Sequence, residues 1–197
     1  SSPETGWYGT IIIMERFPRT LLCLMTGVSL AAAGTVMQGL LRNPLVSPFT
    51  LGVSTAASFG AAIAIVFGSA LLGGMFYNTF SFLGFDMTVK NLFLVLMSFA
   101  FGMFSILLVL KIARKESSIA ILVLSGVVIS YLFQAGISFS KYVSDDESLR
   151  EITNWLMGGM WNATWGAIVI MIPVVIPCII YLEKIALDIN SLSAGDE

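Results

Sequence analysis

From Thr20 to Leu41 the chain carries no charged residue, a run matching the ~20 residues that an α-helix needs to cross a hydrocarbon core of roughly 30 Å. A charged threshold, Arg16-Phe17-Pro18-Arg19, precedes it, and Arg42-Asn43-Pro44 closes it. A second uncharged stretch then extends from Asn43 to Phe85. Inside a bilayer every backbone N–H and C=O must be satisfied by the segment itself or by a neighbour, so such runs are written as helices. Composition agrees: 57% of residues are hydrophobic and 11% charged, with a mean hydropathy of +0.91, against about 25% charged in an ordinary soluble domain. The expected class is all-α, a polytopic transmembrane helical bundle.

Five membrane helices are expected, at about Thr20–Leu41, Thr50–Leu72, Leu92–Leu110, Ser118–Phe139 and Ala163–Leu182. The stretch Asn43–Phe85 is too long for one crossing, so the second helix is expected to end near Gly73-Gly74. Met75–Phe85 then reads as an apolar interfacial loop, with a short re-entrant helix as the alternative. Lys111, Arg114 and Lys115 crowd one short loop, which the positive-inside rule places in the cytoplasm. Counting crossings puts Arg42 and Lys184 on the same side, and Arg16, Arg19, Lys90, Lys141 and Arg150 outside.

Within the spans, small and polar residues form stripes. Gly52, Ala56, Gly60, Ala64 and Gly68 recur every fourth position in the second helix, a spacing that allows close backbone approach between membrane helices. In the fourth, Gly126, Ser130, Gln134 and Ser138 share one line. Side chains of this kind face the bundle or a water-filled route, so they read either as pathway-lining or as interhelical hydrogen bonds. Pro173 and Pro177 should bend the fifth helix. The acidic run Asp145-Asp146-Glu147 reads as a solvated loop, and Trp155, Trp161 and Trp165 suit a membrane-water boundary.

The absent chemistry is also informative. The chain has no His and two Cys, Cys23 and Cys178, each inside an apolar run. A Ser-His-Asp or Cys-His apparatus cannot be assembled, no cysteine and carboxylate spacing matches a metal site, and no Gly-rich loop ends in Gly-Lys-Ser/Thr to hold nucleotide phosphates. No cofactor or metal is expected, no basic footprint for nucleic acid exists, and the chain is not expected to be an enzyme. The partner expected from composition alone is the lipid bilayer.

Several segments in order carry a family resemblance: Arg16-Phe17-Pro18-Arg19-Thr20, Gly34 through Gln38, Arg42-Asn43-Pro44-Leu45 with Pro48 and Leu51-Gly52-Val53, Trp155-Leu156-Met157-Gly158-Gly159, and Leu192-Ser193-Ala194-Gly195-Asp196-Glu197. Together they resemble the FecCD-type permeases of the iron-siderophore, haem and cobalamin importers, across nearly the whole chain. The resemblance implies one transmembrane permease domain over residues 1–197, as part of a ten-helix ATP-binding-cassette importer subunit without the family's first helix and last four. It implies a homodimer of permeases in the cell (plasma or inner) membrane, two cytoplasmic ATP-binding subunits that hydrolyse ATP, and an extracytoplasmic substrate-binding protein. By residue, Arg16 and Arg19 resemble the external arginines that meet acidic side chains of the binding protein. Residues 186–197 resemble the start of the cytoplasmic coupling helix, with Leu192, Gly195, Asp196 and Glu197 at the ATPase contact; Ala194 stands where the family more often has Leu. Ser117 and Ser118 resemble the inner-gate hydroxyls, below the Ser130, Gln134 and Ser138 face. The alternative to an importer is a non-ABC helical bundle, channel-like or structural, which would leave the arginine threshold and the Gly195-Asp196-Glu197 terminus unexplained.

Overall fold

A computed structural model describes residues 8–82, 85–113, 119–160 and 163–194. The chain forms two compact units, one of residues 1–45, 82–85 and 159–197 and the other of residues 46–81 and 86–158. Among the described residues five helical stretches are long and apolar enough to cross a membrane, one over each of the five expected runs.

In the first unit, α1 (Phe17–Leu41) is preceded by a π-helical turn over Ile12–Arg16, and the helical stretch begins at Tyr8. The helix therefore starts well before the expected Thr20, and Arg16 and Arg19 lie within it. Its C-terminus is closed by Arg42 in the left-handed conformation at φ 46°. The Arg42 N–H donates to the Gly39 carbonyl and the Asn43 N–H to that of Gln38, the paired bonds of a Schellman closure, with Pro44 just beyond to prevent continuation. Helix α6 (Trp165–Lys184) runs through Pro173 and Pro177. Thr164 caps its first turn by accepting a bond from the Ala167 N–H at 3.3 Å. Helix α7 (Ala186–Ala194) follows.

The second unit opens on a 3₁₀ turn, Pro48–Leu51, boxed by Ser47 and Thr50. Gly52, at φ 73°, separates this turn from α2 (Val53–Leu72), so the second span begins three residues later than expected. The small-residue stripe packs as its spacing predicts. Ala56, Gly60, Ala64 and Gly68 are all buried, and Gly60 lies against the Met97 backbone of α3 (Val89–Ala113). Helix α4 (Ile119–Val143) completes this core through Ile129 and Phe133, where Phe59 and Phe101 meet edge to face at 5.3 Å between centroids.

Two expectations are corrected here. Met75–Phe85 is neither a plain loop nor a re-entrant helix: a 3₁₀ turn over Gly73–Tyr77 leads into a hairpin of β1 (Thr79–Phe82) and β2 (Phe85–Thr88). The alternation Thr79-Phe80-Ser81-Phe82 has the two-residue period of a strand. The acidic run is no loop either, because Asp146 and Glu147 form the first turn of α5 (Asp146–Met157), where carboxylates favour the helix dipole. Ile152 of α5 is buried against Ala61, Ala62, Ala64, Ile65 and Leu94, with Leu156 packed beside them.

Candidate docking, pathway and coupling surfaces

Arg16 and Arg19 are both exposed and three residues apart on a helix, which puts them on one face. Between them Pro18 is buried. The Arg19 Nε donates to the Met160 carbonyl at 3.1 Å. One turn earlier the Trp165 Nε1 donates to the Ile13 carbonyl at 3.1 Å, and the Phe17 and Trp165 rings lie 5.7 Å apart. The two arginines thus stand on a helical segment tied by side chains to Met160 and Trp165.

The polar line on α4 does not act as one surface. Gly126 is buried beneath the Pro48–Leu51 turn, where a Cβ would collide with the Thr50 carbonyl. Ser130, partly buried, donates to the Gly126 carbonyl at 2.7 Å and faces Gly52. Gln134 and Ser138 are exposed, and the Ser138 hydroxyl donates to the Gln134 carbonyl at 3.1 Å. The stripe therefore drifts from packed to open along the helix. Ser117 and Ser118 lie outside the described residues.

Ser105, which sequence reasoning missed, is fully buried on α3 and donates to the Leu51 carbonyl at 3.0 Å. Only its place as a hydroxyl deep in an apolar run, which Ser98 shares, could have marked it as facing the bundle. With Gly52, Gly126 and Ser130 it fixes the segment before α2 against α3 and α4.

At the other candidate contact, Leu192 falls within the α7 backbone, while Gly195, Asp196 and Glu197 lie outside the described residues. The α7 helix rests on the last turns of α1, where a Cβ on Gly39 would sit 3.7 Å from Ile189 Cγ2.

Charge outside the spans concentrates at α5. Lys90 pairs with Glu151 at 2.7 Å and stands 5.9 Å from the Phe76 ring centroid. The Ser148 side chain, donating to Asp145 just before α5, holds that carboxyl below its ordinary value of 3.8. Cys23 and Cys178 are free and exposed. Among the described residues no three His, Cys, Asp or Glu side chains gather as metal ligands.

Five apolar spans among the described residues, with polar side chains collected at helix ends and along part of one helix face, define a multi-pass membrane protein. The chain belongs to the FecCD transport family, whose family model matches residues 2–197. It is similar to the molybdate import system permease protein MolB of Haemophilus influenzae, at 31% identity over 188 residues, covering 95% of this chain and 50% of MolB. It is similar also to the hemin transport system permease protein HmuU of Yersinia pestis, at 32% over 201 residues, covering 100% of this chain and 54% of HmuU. Among solved structures, a metal-chelate type ABC transporter in an inward-facing conformation superposes with a TM-score of 0.78 at 32% identity, covering 95% of this chain and 54% of that one. The chain spans about half the length of the curated relatives it matches.

Proposed function

We propose that the chain is the membrane-spanning part of an ATP-binding-cassette importer permease, which forms, as a homodimer, the passage for a metal chelate such as an iron-siderophore, haem or cobalamin. The observation that carries this reading is the family match over residues 2–197, which includes all five spans in order. Two ATP-binding subunits on the cytoplasmic side hydrolyse ATP, a substrate-binding protein docks from outside, and the complex sits in the plasma or inner membrane. Relatives named for molybdate and for hemin stand at nearly equal identity to this chain, so likeness of the helices does not set the cargo. The metal-chelate class is supported by the solved neighbour.

Within this reading Arg16 and Arg19 meet carboxylates of the binding protein. Exposed charges on a docking face give orientation and on-rate more than raw affinity. The exposed Gln134 and Ser138, with Ser130 and the gate residues Ser117 and Ser118, line the route. Residues 186–197 open the coupling helix, whose Leu192, Gly195, Asp196 and Glu197 seat on the ATPase and pass on its closure as a rigid displacement.

Co-purification of the full-length permease with its ATPase subunit in mild detergent, with and without Leu192–Glu197, tests the proposal. Association that is lost on deletion supports the importer reading and the coupling contact together. No association in either form refutes it.

A further inference from the structure

A proline in the arginine threshold creates a defect that a distant tryptophan repairs. In the π-helical turn the Phe17 N–H donates to the Ile12 carbonyl, five residues back rather than four. That takes from Ile13 the donor an α-helix would give it. The next residue, Pro18, has no N–H to offer. The Ile13 carbonyl is left without a helical partner. The Trp165 indole supplies that bond at 3.1 Å. Trp165 is itself fixed: it is the first residue of α6, beside the Thr164 cap, and its ring lies against Phe17.

The second tie has a consequence for the arginine fork. Arg19 spends its Nε on the Met160 carbonyl, just after Gly159 at φ 144°. A guanidinium offers five N–H donors in a rigid plane. With Nε held by the Met160 carbonyl, the two terminal nitrogens are left to take a carboxylate end-on.

We infer that Trp165 and the Met160 carbonyl are positioning elements of the docking site: they hold the Arg16 and Arg19 face in the orientation that receives the binding protein's carboxylates. This rests on the docking role proposed above for the two arginines. Neither positioning group touches the partner. Each acts on the arginine pair through Ile13, Phe17 or the Arg19 Nε.

The test uses the full-length permease, assembled with its ATPase subunits in lipid nanodiscs, and its binding protein. Trp165→Phe keeps the ring against Phe17 and removes the N–H. Arg19→Lys keeps the charge but removes both the Nε donor and the terminal fork, so it reads the tie and the direct contact together. Trp165→Phe is expected to weaken the docking Kd by about three- to tenfold, the loss of roughly one hydrogen bond, and Arg19→Lys by more, with the slope of log Kd against log salt unchanged in both because both charges remain. Trp165→Phe should also speed amide exchange over residues 13–17. Charge reversal at Arg16 and Arg19 should instead abolish docking or flatten its salt dependence. If reversal breaks docking while Trp165→Phe docks like the natural protein, the positioning inference is overturned and the docking role stands. Docking that survives reversal with its affinity and salt dependence unchanged overturns the docking role, and the inference with it.

Discussion

Replacing Gly60 by Ala separates two effects that share one helix interface. A Cβ on Gly60 would stand 2.5 Å from the Met97 carbonyl oxygen, 2.9 Å from its carbon and 3.1 Å from Phe101 Cβ. An unstrained C–H···O contact needs about 3.3 Å, so α2 and α3 must part locally by about 0.8 Å. The obstacle is backbone and cannot turn aside as a side-chain tip would. A gap of this size forfeits a quarter to a half of each dispersion well it opens. Overpacking of this kind costs about 1–3 kcal/mol, offset by at most about 1 kcal/mol of helix propensity gained over Gly. With the full propensity gain the net loss is about 0–2 kcal/mol, and the gap to a helical glycine that has room for a methyl is about 1–3 kcal/mol. Gly102 is the control: it belongs to the same helix pair, but its Cβ would meet Val53 Cγ1 at 3.5 Å and Ala57 Cβ at 3.8 Å, which is ordinary contact. Gly102→Ala should therefore be neutral or stabilising by up to about 1 kcal/mol. Equilibrium unfolding of the purified permease in detergent measures both. If Gly60→Ala is as stable as Gly102→Ala, the stripe is not a close-approach surface and the reasoning fails.

The seat of α5 gives two further contrasts. Ile152→Ala, at a residue 1% exposed, should cost about 2–4 kcal/mol, whereas Glu151→Gln, which breaks the partly exposed pair with Lys90, should cost about 1 kcal/mol or less and lose even that in high salt; thermal unfolding at two ionic strengths separates them. The Asp145 carboxyl titrates below its ordinary 3.8 in the folded chain, so its contribution to the start of α5 is complete above that value and is lost as pH falls through the lower, folded one. Amide protection over residues 146–149 should drop on acidification, and Asp145→Asn should flatten that pH dependence.

The spans were legible because charges punctuate them, and Arg42-Asn43-Pro44 marked the end of α1 to the residue. The start of that helix was not legible. Pro18 and the flanking arginines read as a boundary, yet a π-helical turn and a tryptophan more than a hundred residues away let the helix run on to Tyr8. Nothing local in the sequence announces such a partner. In α5 the signal was present but outweighed: Ile152 and Leu156 keep a four-residue spacing behind the Asp145 boundary, and the acidic cluster drew the loop reading. The hairpin was hidden by its aromatic residues, which fit an interfacial loop and a strand equally well. Neither the inner-gate serines nor the last coupling residues fall among the described residues, so their roles rest on family resemblance alone.

Hydroxyls in the spans turn out to be weak pointers to a route, for a reason that sharpens the choice on α4. Thr26, Ser29 and Thr35 on α1, and Ser125, Ser130, Ser138 and Ser140 on α4, each donate to the carbonyl four residues back. A serine or threonine can satisfy its donor this way within its own helix, and so needs no polar surroundings. Gln134 cannot. Its side-chain amide has two donors and an acceptor, it is exposed on its unit, and it makes no side-chain hydrogen bond among the described residues. An exposed, unsatisfied amide within a membrane span requires water, cargo or a partner helix. Gln134→Leu should therefore slow ATP-driven uptake into proteoliposomes while leaving unfolding in detergent unchanged or slightly more difficult, and Ser138→Ala should alter neither. Gln134→Leu with natural uptake but lower stability would instead make the amide an interhelical bond, and would remove α4 from the route.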